Sequence, residues 1–363
     1  MTENWLRMVV ACAHEDHTGI VHFDLNTVTG EMRAVGETPD KGICLYFYQH
    51  PTQPVLYAVG SFNGENQIRA YQIGPDYQLT LINSQPSGGY EPCYASVGGS
   101  GRYALLVNYT SAEKVGSIRT FSIRPDGGLL PHAAHIALPG DGPHPSRQDA
   151  SHPHMIVPTP NHQYVLVPDL GTDQVMIYRL DHTSGQLHPH AQPYLTIQAG
   201  SGPRHLAFHP KQRILYVLSE LEPVLTVVTY DDAGHFDVVG TYPTLPPQVA
   251  TPANHHGADI HVAPSGRFLY VSNRGHNSIG IYALDPTGTA LSYSGYQFTL
   301  GDWPRGFAID PSGRMLIVAN QHTNDLYTFH IDPDTGRLMP TSYSAIVPSP
   351  VCIKFLAGSF PVK

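Results

Sequence analysis

The side chains of this sequence that invite a chemical reading are Arg204, Glu220, Arg274 and Arg305, with His152, His154, His256, Asp259 and Gln321. Arginine grips phosphate or carboxylate through two parallel N–H donors and keeps its charge at ordinary pH. A carboxylate beside arginines stays ionised, while an imidazole titrates near neutrality. Such a set can hold an anion, stabilise developing negative charge and move a proton. Its members are scattered from position 152 to position 321, so only a fold that returns repeatedly to one place can gather them.

A repeat supplies such a fold. The unit ADIHVAPSGR, FLYVSNRGHN, SIGIYAL runs from Ala258 to Leu284, recurs as RGFAIDPSGR, MLIVANQHTN, DLYTFHI from Arg305, and precedes itself as RHLAFHPKQR, ILYVLSELEP, VLTVVTY from Arg204. Each copy reads as strand, polar turn, strand, loop, strand, with β-branched and aromatic residues in the strands and Gly, Pro, Asn and Asp at the breaks. A fourth, more polar strand follows a turn such as Asp334-Thr335-Gly336-Arg337 or His182-Thr183-Ser184-Gly185. Weaker copies begin near Cys44, Cys93 and His154, so innermost strands start about 46 to 61 residues apart, the period of propeller blades.

Six copies are complete and the chain ends supply the seventh. Met8 to Val35 contains second, third and fourth strands without a first, whereas Val351 to Phe355 is a first strand with nothing after it. The reading is an all-β chain. Residues 1–363 are expected to form one seven-bladed β-propeller domain of four-stranded antiparallel blades, closed by the C-terminal strand joining the N-terminal blade. Closure removes exposed sheet edges.

In such blades the loop after the second strand and the connector into the next first strand emerge on one face. Aligning the copies puts Leu170, Glu220, Arg274 and Gln321 in one column, preceded by Asp169, Ser219, Asn273 and Asn320. Arg204, Arg305, Ser151-His152-Pro153-His154 and Asn254 to Asp259 occupy the connectors. The plainer alternatives are arginines bonding neighbouring carbonyls, Glu220 serving only to pair with one of them, and Asp169, Asn273 and Asn320 capping local backbone. With 22 histidines in the chain, His162, His182, His188 and His190 read as surface turns. His154 differs, because it opens an innermost strand where an imidazole is costly unless bonded or used.

Composition agrees with this class: 41% hydrophobic and 13% charged residues, with 34 Gly and 33 Pro, suit many short strands and tight turns. A formal charge of -9 argues against a nucleic-acid partner, although a few local arginines can still bind a small anion. Met1 to Val10 lacks a secretory pattern and no apolar stretch reaches membrane-spanning length, so no membrane partner and a cytoplasmic location are expected. Cys12, Cys44, Cys93 and Cys352 are far apart and read as small buried hydrophobes.

Gly200-Ser201-Gly202-Pro203-Arg204-His205, Phe208-His209-Pro210, Glu220-Leu221, Ala258-Asp259-Ile260-His261, Ser272-Asn273-Arg274, Pro304-Arg305-Gly306-Phe307 and Pro350 to Phe355 make the chain resemble the lactonase seven-bladed β-propeller family. That family includes propeller-type 6-phosphogluconolactonases and carboxymuconate-lactonizing enzymes. The resemblance spans nearly the whole chain, and is best in its centre. It implies a hydrolase that opens a sugar lactone, first among them 6-phosphogluconolactone, with His154, Arg204, Glu220 and Arg274 as the catalytic set. His152, Arg305 and Asp259 would neighbour the substrate, and His256 and Gln321 join them by position. Within that reading the arginines bind the anion or face the oxyanion, His154 is favoured as the base, and Glu220 orients water or returns the proton. Neither cofactor nor metal is expected, the partner is a small anionic sugar lactone, and the protein is a monomer or weak homo-oligomer. The alternatives are a metal-dependent reaction through Asn108, Asp169, Asn273 and Asn320, which the arginines would oppose, a lactonizing cyclase or isomerase, and a non-catalytic binding propeller.

Overall fold

A computed structural model describes residues 4–246, 248–249, 252 and 254–357. All regular elements among them are strands: β1 (Trp5–Cys12), β2 (Thr18–Asn26), β3 (Met32–Gln49), β4 (Val55–Phe62), β5 (Glu65–Ile73), β6 (Leu79–Pro86), β7 (Tyr90–Val97), β8 (Tyr103–Thr110), β9 (Gly116–Ile123), β10 (Leu129–Leu138), β11 (Val157–Pro158), β12 (Val165–Asp169), β13 (Gln174–Leu180) and β14 (Leu187–Thr196). They continue with β15 (Pro203–Phe208), β16 (Ile214–Ser219), β17 (Val224–Tyr230), β18 (Phe236–Pro243), β19 (His256–Val262), β20 (Phe268–Arg274), β21 (Ser278–Leu284), β22 (Leu291–Phe298), β23 (Pro304–Ile309), β24 (Met315–Asn320), β25 (Asp325–Ile331), β26 (Leu338–Ile346) and β27 (Pro350–Phe355). Second strands such as β24 are buried along their whole length, whereas fourth strands such as β22 keep mostly partly or fully exposed residues, as their polar sequences require.

Two compact units divide the chain. The first comprises Met1–Ala13, Val21–Glu37 and Arg204–Phe355. It contains the four-stranded sheets β15 to β18, β19 to β22 and β23 to β26. Here the chain ends meet as the sequence anticipates: β27 pairs antiparallel with β1, Met8 opposite Phe355 and Ala11 opposite Cys352. Met8, Val10, Phe23, Met315, Ile317 and Ile353 share one buried cluster, so the closing strand is part of a core. Consecutive sheets of this unit are also tied by buried phenols. Tyr216 donates to Gly288 O (2.7 Å) and Tyr270 to Gly336 O (2.8 Å), the partner a buried hydroxyl must find. Gly336 sits at φ 69, where a Cβ would lie 2.4 Å from the Phe268 ring, so the turn requires glycine.

The second unit comprises His14–Ile20, Thr38–Pro203 and Leu356–Lys363, with the four-stranded sheets β7 to β10 and β11 to β14. Two features differ from the expected regular blades. The sheet order β27-β1-β2-β3-β4-β5-β6 has seven strands, because the anticipated fourth strand of one repeat and first strand of the next are one continuous β3. Gly36 and Gly42 lie within it at φ 154 and 133, and pairing with β4 begins at Gly42. Counting β3 in both repeats restores two four-stranded sets. The other departure is β11, reduced to two residues beside an isolated Pro153–Asp169 bridge, since Pro153 and Pro158 have no N–H to donate. All four cysteines are buried thiols, as expected.

Candidate active site

Strand ends of two successive sheets in the first unit bring three charged side chains together. Arg204 is the second residue of β15, Glu220 follows β16 directly, and Arg274 ends β20 opposite His256 of β19. Glu220 Oε2 lies 3.0 Å from Arg204 Nε and 3.0 Å from Arg274 Nη2. Arg204 Nη1 donates to Ala258 O and Arg274 Nη2 to Gly257 O (2.7 Å). Gly257 makes this approach possible: a Cβ there would sit 2.2 Å from Ser219 O, and its N–H donates to Glu220 O at 3.1 Å.

The three residues are 2%, 3% and 4% exposed. Burial, aided by the neighbouring Arg274, pushes Arg204 down to about 9, which leaves it charged at neutral pH. Arg274 Nε is buried without a hydrogen-bond partner among the described residues, and Arg204 Nε meets Glu220 as an ion pair without the geometry of a hydrogen bond. Two buried guanidiniums thus face one carboxylate, with donors left over.

Asp259 and His205 lie behind Arg204. Asp259 Oδ1 accepts from His205 Nδ1 (3.0 Å) and Ile260 N (3.0 Å), and Oδ2 from His261 Nε2 (3.1 Å) and Phe307 N (3.2 Å). Burial alone would raise this carboxyl, but His261 and His205 hold it well below its ordinary range. Both of its oxygens are therefore engaged inside the protein. Arg305 is half-buried in β23, and Gln321 donates from Nε2 to Ser349 Oγ (3.3 Å). His256 meets the Trp303 ring edge-on at 6.0 Å, and the Arg274 guanidinium lies 5.3 Å from the same ring. Trp303 itself takes a left-handed φ of 66, held by Asn277 Oδ1 at its N–H.

The second unit carries the remaining predicted residues. His152 and His154 are buried at the entrance to β11, stacked on and edge-on to Tyr109 at 4.4 and 5.9 Å. His152 Nδ1 meets Tyr109 O at 3.1 Å and Nε2 meets Asp149 Oδ1 at 3.3 Å. The loop is pinned by Asp169, which accepts from Ser151 Oγ, His152 N (2.7 Å) and Gly171 N (2.8 Å). Burial raises the Asp169 carboxyl in spite of these bonds.

Capping, as anticipated, occupies Asp169 and also Asn320, whose Nδ2 donates to Thr299 O at 3.1 Å. Asn273 departs from it, being buried with neither side-chain polar atom partnered among the described residues. Among those residues no group of three or more His, Cys, Asp or Glu converges as a set of metal ligands. Sequence reasoning passed over Tyr109, His205 and Trp303. Tyr109 was legible, since Asn108-Tyr109 parallels Asn273-Arg274, and His205 directly follows Arg204 in the chain. Trp303 lies in a connector without a periodic signal.

Residues 7–355 match the lactonase, 7-bladed beta-propeller family. The chain belongs to the lactonase seven-bladed β-propeller family. This lactonase-family chain is 35% identical over 346 residues to the 6-phosphogluconolactonase of Bacillus subtilis (strain 168), covering 93% of this chain and 94% of that protein. The structure of Pseudomonas aeruginosa periplasmic gluconolactonase superposes with a TM-score of 0.90 at 29% identity, over 97% of this chain and 99% of that one. A Bacteroides fragilis NCTC 9343 structure does so with a TM-score of 0.90 at 31% identity, over 98% and 99%. The lactonase fold is the seven-bladed propeller that the repeats and the β27–β1 pairing anticipate. No helix among the described residues is long and apolar enough to cross a membrane.

Proposed function

We propose that this lactonase-family protein hydrolyses 6-phosphogluconolactone to 6-phosphogluconate without a metal, with Arg204 and Arg274 as its anion-binding groups. The observation that carries the reading is the buried pair of guanidiniums sharing one carboxylate. Its excess positive charge and unpaired N–H groups suit a phosphate, a carboxylate or a developing oxyanion. Glu220, bonded to both arginines, fixes their orientation rather than acting as the base. His154 is the imidazole proposed to take a proton from water as the water oxygen bonds the lactone carbonyl carbon. Charge then moves to the carbonyl oxygen. Collapse breaks the bond to the ring oxygen, which takes the proton held by His154 and becomes a free hydroxyl, while the new carboxylic acid loses its remaining proton to solvent and becomes a carboxylate. The 6-phosphogluconolactonase name of the B. subtilis relative supports the choice of substrate.

The test is a hydrolysis screen of phosphorylated and free aldonolactones, corrected for spontaneous opening and repeated in excess chelator. The expected outcome is the highest kcat/KM on 6-phosphogluconolactone, with no loss in chelator. Turnover that disappears in chelator and returns with a divalent cation would overturn the metal-free mechanism. Cyclisation of an unsaturated dicarboxylate with no lactone hydrolysis would overturn the hydrolase.

A further inference from the structure

We infer that His205, itself held by Asp259, is a positioning residue that fixes the Arg204 guanidinium in its anion-binding orientation. The inference rests on the proposed role of Arg204 and assigns its support.

The imidazole is constrained from both sides. Its Nδ1 lies 3.0 Å from Asp259 Oδ1, an ionised oxygen that can only accept, so Nδ1 carries the proton. Its Nε2 lies 3.3 Å from Arg204 Nη1, which can only donate, so Nε2 presents its lone pair. Only the neutral Nδ1–H tautomer satisfies both contacts. Burial and the adjacent Arg204 push this ring down to about 4, and so keep it in that form at neutral pH. With Ala258 O as the second acceptor, both protons of Arg204 Nη1 are spoken for, and rotation about the guanidinium axis is blocked. With Nη1 and Nε so engaged, Nη2 is assigned as the donor offered to a ligand.

Asp259 is built to hold the imidazole still. It accepts from His205 on β15, from Ile260 N and His261 on β19, and from Phe307 N on β23, so three successive innermost strands of the first unit orient it. An arrangement meant only to neutralise Arg204 would place this carboxylate directly on the guanidinium. Interposing a neutral ring transmits direction while leaving the site its positive excess. The charged and titratable groups acting on His205 are Arg204, Asp259 and His261, with Arg274, Glu220 and Arg305 acting on Arg204 in turn.

The experiment compares His205→Ala, His205→Gln and Arg204→Ala on 6-phosphogluconolactone and on uncharged glucono-δ-lactone, with thermal denaturation as a check on folding. His205→Ala is expected to raise KM for the phosphorylated lactone about tenfold, the size of one lost hydrogen bond to a charged group, with kcat changed less than about twofold and the uncharged lactone little affected. His205→Gln should restore most of the affinity, because its side-chain carbonyl reaches the Nε2 position as an acceptor. Gln cannot be protonated, so as pH falls from 7 toward 4.5 the ratio of wild-type to His205→Gln affinity should decline, His205 losing its lone pair.

Equal losses of kcat on both lactones in His205→Ala that Arg204→Ala does not share would overturn positioning and make His205 a proton-transfer group. A normal KM in both His205 variants beside a raised KM in Arg204→Ala would overturn positioning and leave the reading of Arg204 intact. A normal KM in Arg204→Ala would overturn that reading itself. Should His205→Ala fail to fold, the pH ratio in His205→Gln decides alone.

Discussion

In the first unit two buried cations share the carboxylate of Glu220, whereas in the second unit the buried carboxylate of Asp169 is met by a hydroxyl and two backbone N–H groups. Removing an ion from water costs several kcal/mol, and that cost is offset only when its lone pairs or protons are satisfied. Around Asp169 each carboxylate oxygen has a donor, so this region reads as a clamp that shapes the loop carrying His152 and His154. Around Glu220 the cations outnumber the anion and N–H groups remain unpaired, the feature on which the proposed anion-binding role rests. A saturated buried charge holds a shape; an unsaturated one is what the proposed reading assigns to a ligand.

The largest expected effect tests the unit that contains the arginines. Deleting residues 351–363 removes β27 and its pairing with β1, and should abolish cooperative folding; a truncated protein with an unchanged melting temperature would show that closure does not support this unit.

Next in size is Glu220→Gln. Two like charges then remain buried without their counter-ion, and destabilisation of about 3 kcal/mol should accompany a fall in kcat/KM of about a hundredfold. Calorimetric melting and initial rates read the two quantities. Loss of activity at full stability would instead make Glu220 a reacting group rather than a support.

His154→Ala should lower kcat about a hundredfold with KM and melting temperature nearly unchanged, as expected for a proton-transfer group. Near-normal turnover would reduce the second unit's contribution to shape alone.

The smallest change is predicted for Asp169→Asn. Asn Oδ1 can keep both backbone bonds, and its Nδ2 can donate to Ser151. Because burial raises the Asp169 carboxyl, its stabilising contribution is fully present below the ordinary carboxylate range and is lost as pH rises through the raised value. The non-ionising variant should be at least as stable as wild type at pH 7 and show a flatter pH dependence of stability above pH 4. A variant that is instead severely destabilised at pH 7 would make Asp169 an ionic anchor like Glu220, and the contrast between the units would vanish.

Much of this molecule is legible in its residues. The recurring strand and turn chemistry from Arg204 onward predicts sheets that are present, and the incomplete repeats at the two ends predict the β27–β1 pairing. Column alignment singles out Glu220 and Arg274 because loop residues at equivalent points of a repeat emerge on one face. The fusion of two expected strands into β3 was not legible, since an extended connector and a strand differ only in what pairs with them. Asp259 shows the same limit at the site. Its position in a connector was plain, but the His205 that occupies one oxygen lies 54 residues earlier, and Phe307 N, 48 residues later, occupies the other.

The sequence by itself determined the repeat, its closure and the supply of arginines, carboxylates and imidazoles at equivalent positions, because local periodicity and turn chemistry act over a few residues. Tertiary structure alone decided which charges are satisfied. That Glu220 serves two arginines, that Asp259 has no free oxygen, and that Arg274 Nε is left without a hydrogen-bond partner among the described residues depend on ångström distances between strands distant in sequence. Hydrogen bonding and desolvation respond to those distances, and composition and spacing do not encode them.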